Sequence, residues 1–275
     1  MLIRKPSVIP GFRLTLGISM GWLGVIVLLP LAALFLKAAS LGWDELVDIV
    51  TSERVLAALR LSFGAALAAA ALNAVVGLVV SWALVRYEFP GRRVLDAMID
   101  VPFALPTAVA GIALSALYAE TGWLGRAFGP IDIKIAFTPL GVFVALVFIG
   151  LPFVVRTLQP VLQDLEPEVE EAAASLGASR PQTMWRVVLP AILPALFTGF
   201  ALAFARAVGE YGSVIFIAGN VPLVSEIAPL LIVLKLEEYK YADATAIAVA
   251  MLMLSFLLLL LINFSQRRLV RETVS

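Results

Sequence analysis

Arg206 and Glu210 carry charge where charge is costly. They stand four residues apart inside an apolar run, Ala191–Ala218, so helical geometry would set them on one face. A charge at a bilayer centre costs roughly 2.5–3.5 kcal/mol on insertion scales, so each needs a partner or a task. The residue types leave two readings open. In one, the pair neutralises itself and fixes the packing of its helix. In the other, Arg206 presents positive charge to a travelling anion, and Glu210 gates or holds the guanidinium so that the anion is released again. Gly209, Gly212 and Ser213 flank this polar break, and Thr107 follows Pro106 in another apolar run where the helix ladder is interrupted. Hydroxyls, backbone N–H groups and half-helix N-termini are fixed donors for a small anion, so these residues line a candidate path. Gly and Ser equally serve close helix approach. Asn73 and Asp100 are further polar residues at or near the membrane, and Asp100 is expected to cap a helix end.

Other chemistries lack their residues. The 275 residues contain neither Cys nor His. That removes disulfides, thiolate zinc sites, Cys–His nucleophiles and His-based acid–base catalysis. With Glu210 set against an Arg, no acid pair or nucleophile–base set for an intramembrane enzyme is legible. There is no G-x-x-x-x-G-K-[ST] phosphate loop, so no nucleotide site or other cofactor is expected on this chain. Net charge is zero, from 20 basic and 20 acidic residues. No basic excess points to nucleic acid.

The elements that must position the polar residues are membrane helices. The chain is 61% hydrophobic and 15% charged, against roughly half and a quarter in soluble domains. A bilayer core about 30 Å thick needs about 20 apolar residues in a helix. Six runs qualify: Leu14–Leu36, Leu61–Leu84, Val101–Tyr118, Phe137–Val155, Ala191–Ala218 and Ala242–Phe264. The expected fold is therefore an all-α membrane protein with six transmembrane helices. Arg4, Lys5 and Arg13 precede the first run, but that run exceeds a signal peptide's apolar core, so it reads as a retained anchor.

Six crossings leave both termini on one side. That side collects Arg86, Arg92, Arg93, Arg156, Arg180, Arg186, Arg267, Arg268 and Arg271 besides the N-terminal cations. The other holds Lys37, Arg54, Arg60, Arg126, Lys134, Lys235 and Lys240. Lys and Arg gather in cytoplasmic loops, so both termini are expected in the cytoplasm. The organisation is a cytoplasmic segment over 1–13, a six-helix domain over 14–264 with a cytoplasmic loop at 158–190, and a cytoplasmic tail over 265–275.

Within that loop, Glu170–Pro190 reads EEAAASLGASRPQTMWRVVLP. Pro167 and the acids Glu168, Glu170 and Glu171 suit a helix start. Ala172, Ala173 and Ala174 leave a small-faced surface, and Gly177 is a C-terminal stop. Arg180 and Pro181 open a second helix leading to Leu189 and Pro190. By composition alone this is an amphipathic pair resting on headgroups. The string also resembles the EAA motif of prokaryotic ABC-importer permeases: Glu171, Ala172, Ala173, three residues, Gly177, nine residues, then Val187, Leu189 and Pro190, with Val187 where the family often has Ile. The resemblance implies an ABC type I importer permease in which Glu170 to Gly177, with Leu189 and Pro190, couples the spans to a separate cytoplasmic ATPase dimer carrying ATP and Mg. It also implies that a bulky charge at Ala173 stops transport.

Three longer blocks narrow the likeness: Arg86–Leu114, Leu151–Ala178 and Phe204–Asn220 are similar to the T-type permeases of sulfate/thiosulfate importers. Molybdate and tungstate permeases are the neighbouring alternative. Implied partners are a second, W-type permease and a periplasmic sulfate/thiosulfate-binding protein. An ion-coupled secondary anion transporter, with Glu210 carrying a proton, is the rival of a different class.

Overall fold

The computed structural model describes residues 12–274, without the side chains of Arg13, Pro167 and residues 267–274. The expectations for Arg4, Lys5, Arg13, Arg267, Arg268 and Arg271 lie outside the described residues or side chains.

Helices dominate. α1 (Phe12–Leu23) runs through a π turn at Gly24–Leu28 into α2 (Leu29–Ala39). The short α3 (Trp43–Thr51) precedes the long α4 (Glu53–Arg86). α5 (Arg92–Ile99), α6 (Val101–Ala104) and α7 (Thr107–Tyr118) form a broken segment, followed by α8 (Trp123–Phe128) and α9 (Pro139–Asp164). α10 (Pro167–Ser175) and α11 (Arg180–Thr183) lead through a second π turn, Met184–Val188, into α12 (Leu189–Val208). α13 (Val214–Ile217), α14 (Ala228–Glu237) and α15 (Tyr241–Val274) complete the chain.

Among the described residues, five helical stretches are long and apolar enough to cross a membrane: Leu14–Ala39, Glu53–Arg86, Pro139–Asp164, Arg180–Val208 and Tyr241–Gln266. The apolar run Val101–Tyr118 is interrupted at Leu105 and Pro106, where the sequence placed a break in the helix ladder. Proline lacks the N–H that would continue the ladder, and it pushes the preceding residue into extended backbone; Leu105 has φ −84° and ψ 135°. The fifth run also ends early. Its helix stops at Val208, and Glu210 lies in the irregular stretch before α13 rather than on a helix continuing to Ala218. α9 reaches Asp164, so the first residues assigned to the cytoplasmic loop, from 158, are helical.

The core forms where α4, α9 and α12 meet. Lipid is as apolar as Leu, so helix association there relies on close packing of small residues. Ala58, Ala66, Ala69 and Ala70 of α4, Val142, Ala145 and Val154 of α9, and Ala203 and Ala207 of α12 are all buried. Phe63 and Phe204 add a ring contact at 6.4 Å between centroids. Asn73 is buried among them and donates its amide to Val147 O at 3.1 Å. By contrast α1 and α2 are exposed along nearly their whole length, and α15 presents Met253, Phe256, Leu257, Leu260, Leu261 and Phe264 outward, as lipid-facing helices do.

Asp100 does not cap α6, whose N-terminus has no side-chain cap. Its carboxylate is taken by Arg156 of α9 instead, Nε to Oδ1 at 2.8 Å and Nη2 to Oδ2 at 2.6 Å. Arg156 also reaches the Asp96 carboxylate at 2.7 Å and the Asp96 carbonyl at 2.9 Å, and Gln159 donates to Asp96 at 3.0 Å. A guanidinium between two carboxylates outcompetes a single helix-end bond, because both partners are charged.

The Asp96 carboxyl is held below the usual carboxylate range, first by the Gln159 hydrogen bond and then by Arg156. A depressed carboxyl contributes stability above its unfolded pKa of about 4 and loses it as pH falls through the folded value. Melting of the purified protein is thus expected to be insensitive to this group at neutral pH and to weaken below about pH 4. Asp96→Asn should flatten that acid limb; an unchanged limb would show that other carboxyls set it.

Candidate functional site: a small-faced loop and a polar break between helices

The loop between α9 and α12 is built from local signals. Pro167 opens α10, with Glu168 and Glu170 in its first turn, where negative charge suits the exposed N–H groups. The helix stops in a Schellman arrangement: Gly177 N–H reaches Ala174 O at 2.9 Å, and Ala178 N–H reaches Ala173 O at 3.0 Å. Gly177 has φ +83°, a left-handed conformation that a side chain resists. Ser179 and Gln182 then form a reciprocal capping box that starts α11. Leu189 and Pro190 are half-buried where the chain enters α12.

The two acids of the motif part ways. Glu171 is exposed, together with Ala172 and Ala174. Glu170 turns inward to Arg86, the last residue of α4, at 2.8 Å, and Ala173 is half-buried on the same inner side. The outward surface is thus Glu171, Ala172 and Ala174, ending at Leu176, which is 89% exposed. Leu176 was not singled out by sequence reasoning. A large apolar side chain at the tip of a polar loop was its only signal.

The second candidate site joins the ends of two helices. α12 stops at Val208, and the Glu210 carboxylate closes the turn beyond it. Its Oε1 accepts both the Ser213 N–H and the Ser213 hydroxyl at 2.9 Å. Its Oε2 meets Arg206 Nη1 at 2.5 Å. The pair is asymmetric: the Glu210 side chain is 2% exposed and that of Arg206 is 34%. Arg206 shares its open face with Leu202, Ala205 and Gly209.

The start of α7 packs on this turn. A Cβ on Gly212 would collide with the Thr107 hydroxyl, and a Cβ on Gly111 would strike the Ser213 backbone. Ser115 of α7 donates to Phe216 O at 2.8 Å. The structure therefore brings Thr107, Gly212, Ser213, Glu210 and Arg206 into one cluster, with Gly209 open beside it. Gly111 belongs to the cluster too; its only sequence signal was glycine in an apolar helix. A further ion pair, unforeseen because its partners are 172 positions apart, ties Arg54 to buried Glu226 through a two-pronged contact at 2.8 and 2.7 Å.

This architecture, apolar helices around a polar break with a small-faced loop on one side, matches known proteins. Residues 73–274 match the family model for the binding-protein-dependent transport system inner membrane component. The chain belongs to this family. It is accordingly a multi-pass protein of the inner membrane. This inner-membrane component is 55% identical to the sulfate transport system permease protein CysT of Synechocystis sp. over 220 residues, covering 80% of the chain and 77% of that relative. It is 48% identical to CysT of Salmonella typhimurium over 241 residues, covering 88% and 87%. The fold is that of a bacterial ABC transporter that imports the polysaccharide alginate, at a TM-score of 0.77 and 15% identity, over 94% of this chain and 95% of that one. The methionine transporter MetNI in an inward-facing conformation aligns at a TM-score of 0.54 and 21% identity, over 81% of this chain and 99% of that one.

Proposed function

We propose that this inner-membrane component is a membrane-spanning permease subunit of an ATP-driven importer for sulfate and thiosulfate. The observation that carries the reading is identity of 48–55% with sulfate permeases across at least 80% of the chain. The chain crosses the membrane six times, the broken α6–α7 segment being the third crossing, with both termini in the cytoplasm. It pairs with a second, W-type permease. A periplasmic binding protein delivers the anion to the outer face, and a cytoplasmic ATPase dimer holds ATP and Mg.

Motion enters through α10 and its tip. The outward surface of Glu171, Ala172, Ala174 and Leu176 seats in a cleft of the ATPase, and closure of the ATPase dimer carries α10 with it. Gly177, Leu189 and Pro190 set the angle at which that loop meets α12. The anion passes beside the cluster of Thr107, Gly209, Glu210, Gly212 and Ser213, with Arg206 offering charge-assisted donors. The open face of Arg206 supports this placement, because a guanidinium facing lipid at mid-span is costly. Its pairing with Glu210 weakens its hold on a dianion enough for release.

The test is uptake of radiolabelled sulfate into vesicles loaded with ATP. Uptake is expected only when the second permease, the ATPase and the binding protein are present, and it should persist with a protonophore. Uptake by this chain alone that collapses with the protonophore would overturn the reading in favour of ion-coupled transport. Preference for molybdate over sulfate in competition would overturn the substrate.

A further inference from the structure

The inward turn of Glu170 leads to a residue outside the coupling motif. Arg86 ends α4, and its Nη2 meets two oxygens in the connection between α9 and α11. One is the carbonyl of Leu165 at 3.1 Å, in the short link between α9 and α10. The other is Glu170 Oε1 within α10, an ion-pair contact at 2.8 Å that lacks hydrogen-bond geometry. The Arg86 guanidinium lies over the ring of Trp82, one turn earlier in α4, with 5.5 Å to the centroid. Its side chain is only 17% exposed. A partly desolvated guanidinium held by a ring and two oxygens is a stiffer joint than a surface ion pair.

The other fastenings of α10 are slighter. Residues 165 and 166 join it to α9, residues 176–179 join it to α11, and it touches α11 and the π turn. Arg86 alone among the side-chain contacts described for α10 connects it to a membrane helix other than its chain neighbours. α4 is well suited to receive what α10 delivers. Its 34 residues span about 50 Å at 1.5 Å per residue, enough to cross the whole bilayer. At its far end Arg54 grips Glu226, and Ser62 accepts the Ala228 N–H at 2.8 Å. Those contacts hold the segment that follows the Arg206–Glu210 break. One rigid helix is thus clamped to the coupling loop at one end and to the outer segment at the other.

We infer that Arg86 is the positioning residue of the coupling helix, making α10 and α4 move as one body, so that displacement of α10 reaches the far side of the membrane through α4. This rests on the reading of α10 as the docking element for an ATPase. A merely structural Arg86 would affect how much complex forms; a positioning Arg86 affects how much anion moves per ATP spent.

The experiment uses the full reconstituted transporter with its binding protein and compares sulfate uptake with phosphate release. Arg86→Ala and Glu170→Ala are each expected to lower sulfate moved per ATP hydrolysed by about fivefold or more, the lower range of site-to-site coupling. ATPase subunits should still co-purify. The charge-reversed double variant, Arg86→Glu with Glu170→Arg, restores the ion pair without the Leu165 and Trp82 contacts and is expected to recover part of the ratio. A wild-type ratio in Arg86→Ala overturns the inference, as does a double variant no better than either single one. Failure of every variant to assemble, the double included, overturns it as well, because the pair then serves folding alone. Ala172→Glu separates the two layers. If that variant transports normally, the docking reading itself has failed. If it is inactive while Arg86→Ala keeps its ratio, only the role of Arg86 has.

Discussion

Ala172→Glu is expected to abolish ATP-dependent sulfate accumulation while leaving the chain folded and in the membrane. Ala172 is exposed on the outward side of α10, beside Glu171 and one turn from Leu176. Within the free chain a carboxylate there meets only water, so the fold should tolerate it. Inside a partner's cleft it becomes a desolvated charge without a counter-ion, a defect worth about 2–5 kcal/mol in protein interfaces. Even the lower figure weakens docking by about thirtyfold, and co-purification of the ATPase should fall in parallel with uptake. Leu176→Ser is expected to weaken docking through lost apolar burial alone. Ala173, to which the motif first drew the same test, is a poorer probe. It is half-buried beside Glu170, so a bulky charge there disturbs the loop as well as the docking surface. Undiminished uptake by Ala172→Glu, with the ATPase bound, would remove α10 as the point where force enters.

Arg206→Gln is expected to lower sulfate transport by at least about tenfold, a change of 1.4 kcal/mol in barrier, while the transporter still assembles. Glu210 keeps its two bonds from Ser213 when Arg206 is lost, and a Gln side chain still offers an N–H in the same direction. The cost to the fold should therefore fall below the 3–5 kcal/mol typical of breaking a fully buried ion pair. What the substitution removes is the open, positively charged side of the pair. The double variant Arg206→Gln with Glu210→Gln decides between the two readings of these residues. Removing both charges relieves any burden of an unpaired carboxylate, so stability should recover. Transport should not. If the double variant imports sulfate at the wild-type rate, the pair only fixes packing, and the anion's path lies elsewhere.

Both predictions rest on features that were unequally legible in the sequence. The EAA string, its glycine stop and the Arg180-Pro181 helix start act between residues a few positions apart, so α10, α11 and the entry into α12 could be read directly, while the Ser179–Gln182 capping box was not singled out. The contact of Arg206 with Glu210 followed from i, i+4 spacing within an apolar run. The ends of the helices were less accessible. Hydropathy continues past Val208 to Ala218, because the residues that break the helix there sit among apolar neighbours. Only the folded chain shows that Glu210 spends one oxygen on Ser213 and so closes a turn.

The sequence by itself determined the class of the molecule, the charged pair set in an apolar run and the small-faced loop proposed as its coupling element. Each of these is written in composition or in short-range spacing. Tertiary structure decided which acid faces outward and which turns to Arg86, that Asp100 meets Arg156 instead of capping a helix, and that Arg54 reaches Glu226. The physical reason is the same in all three. A charged side chain in or beside a membrane takes the best counter-charge within reach, and reach is set by how α4, α9 and α12 pack, which no local pattern of residues records.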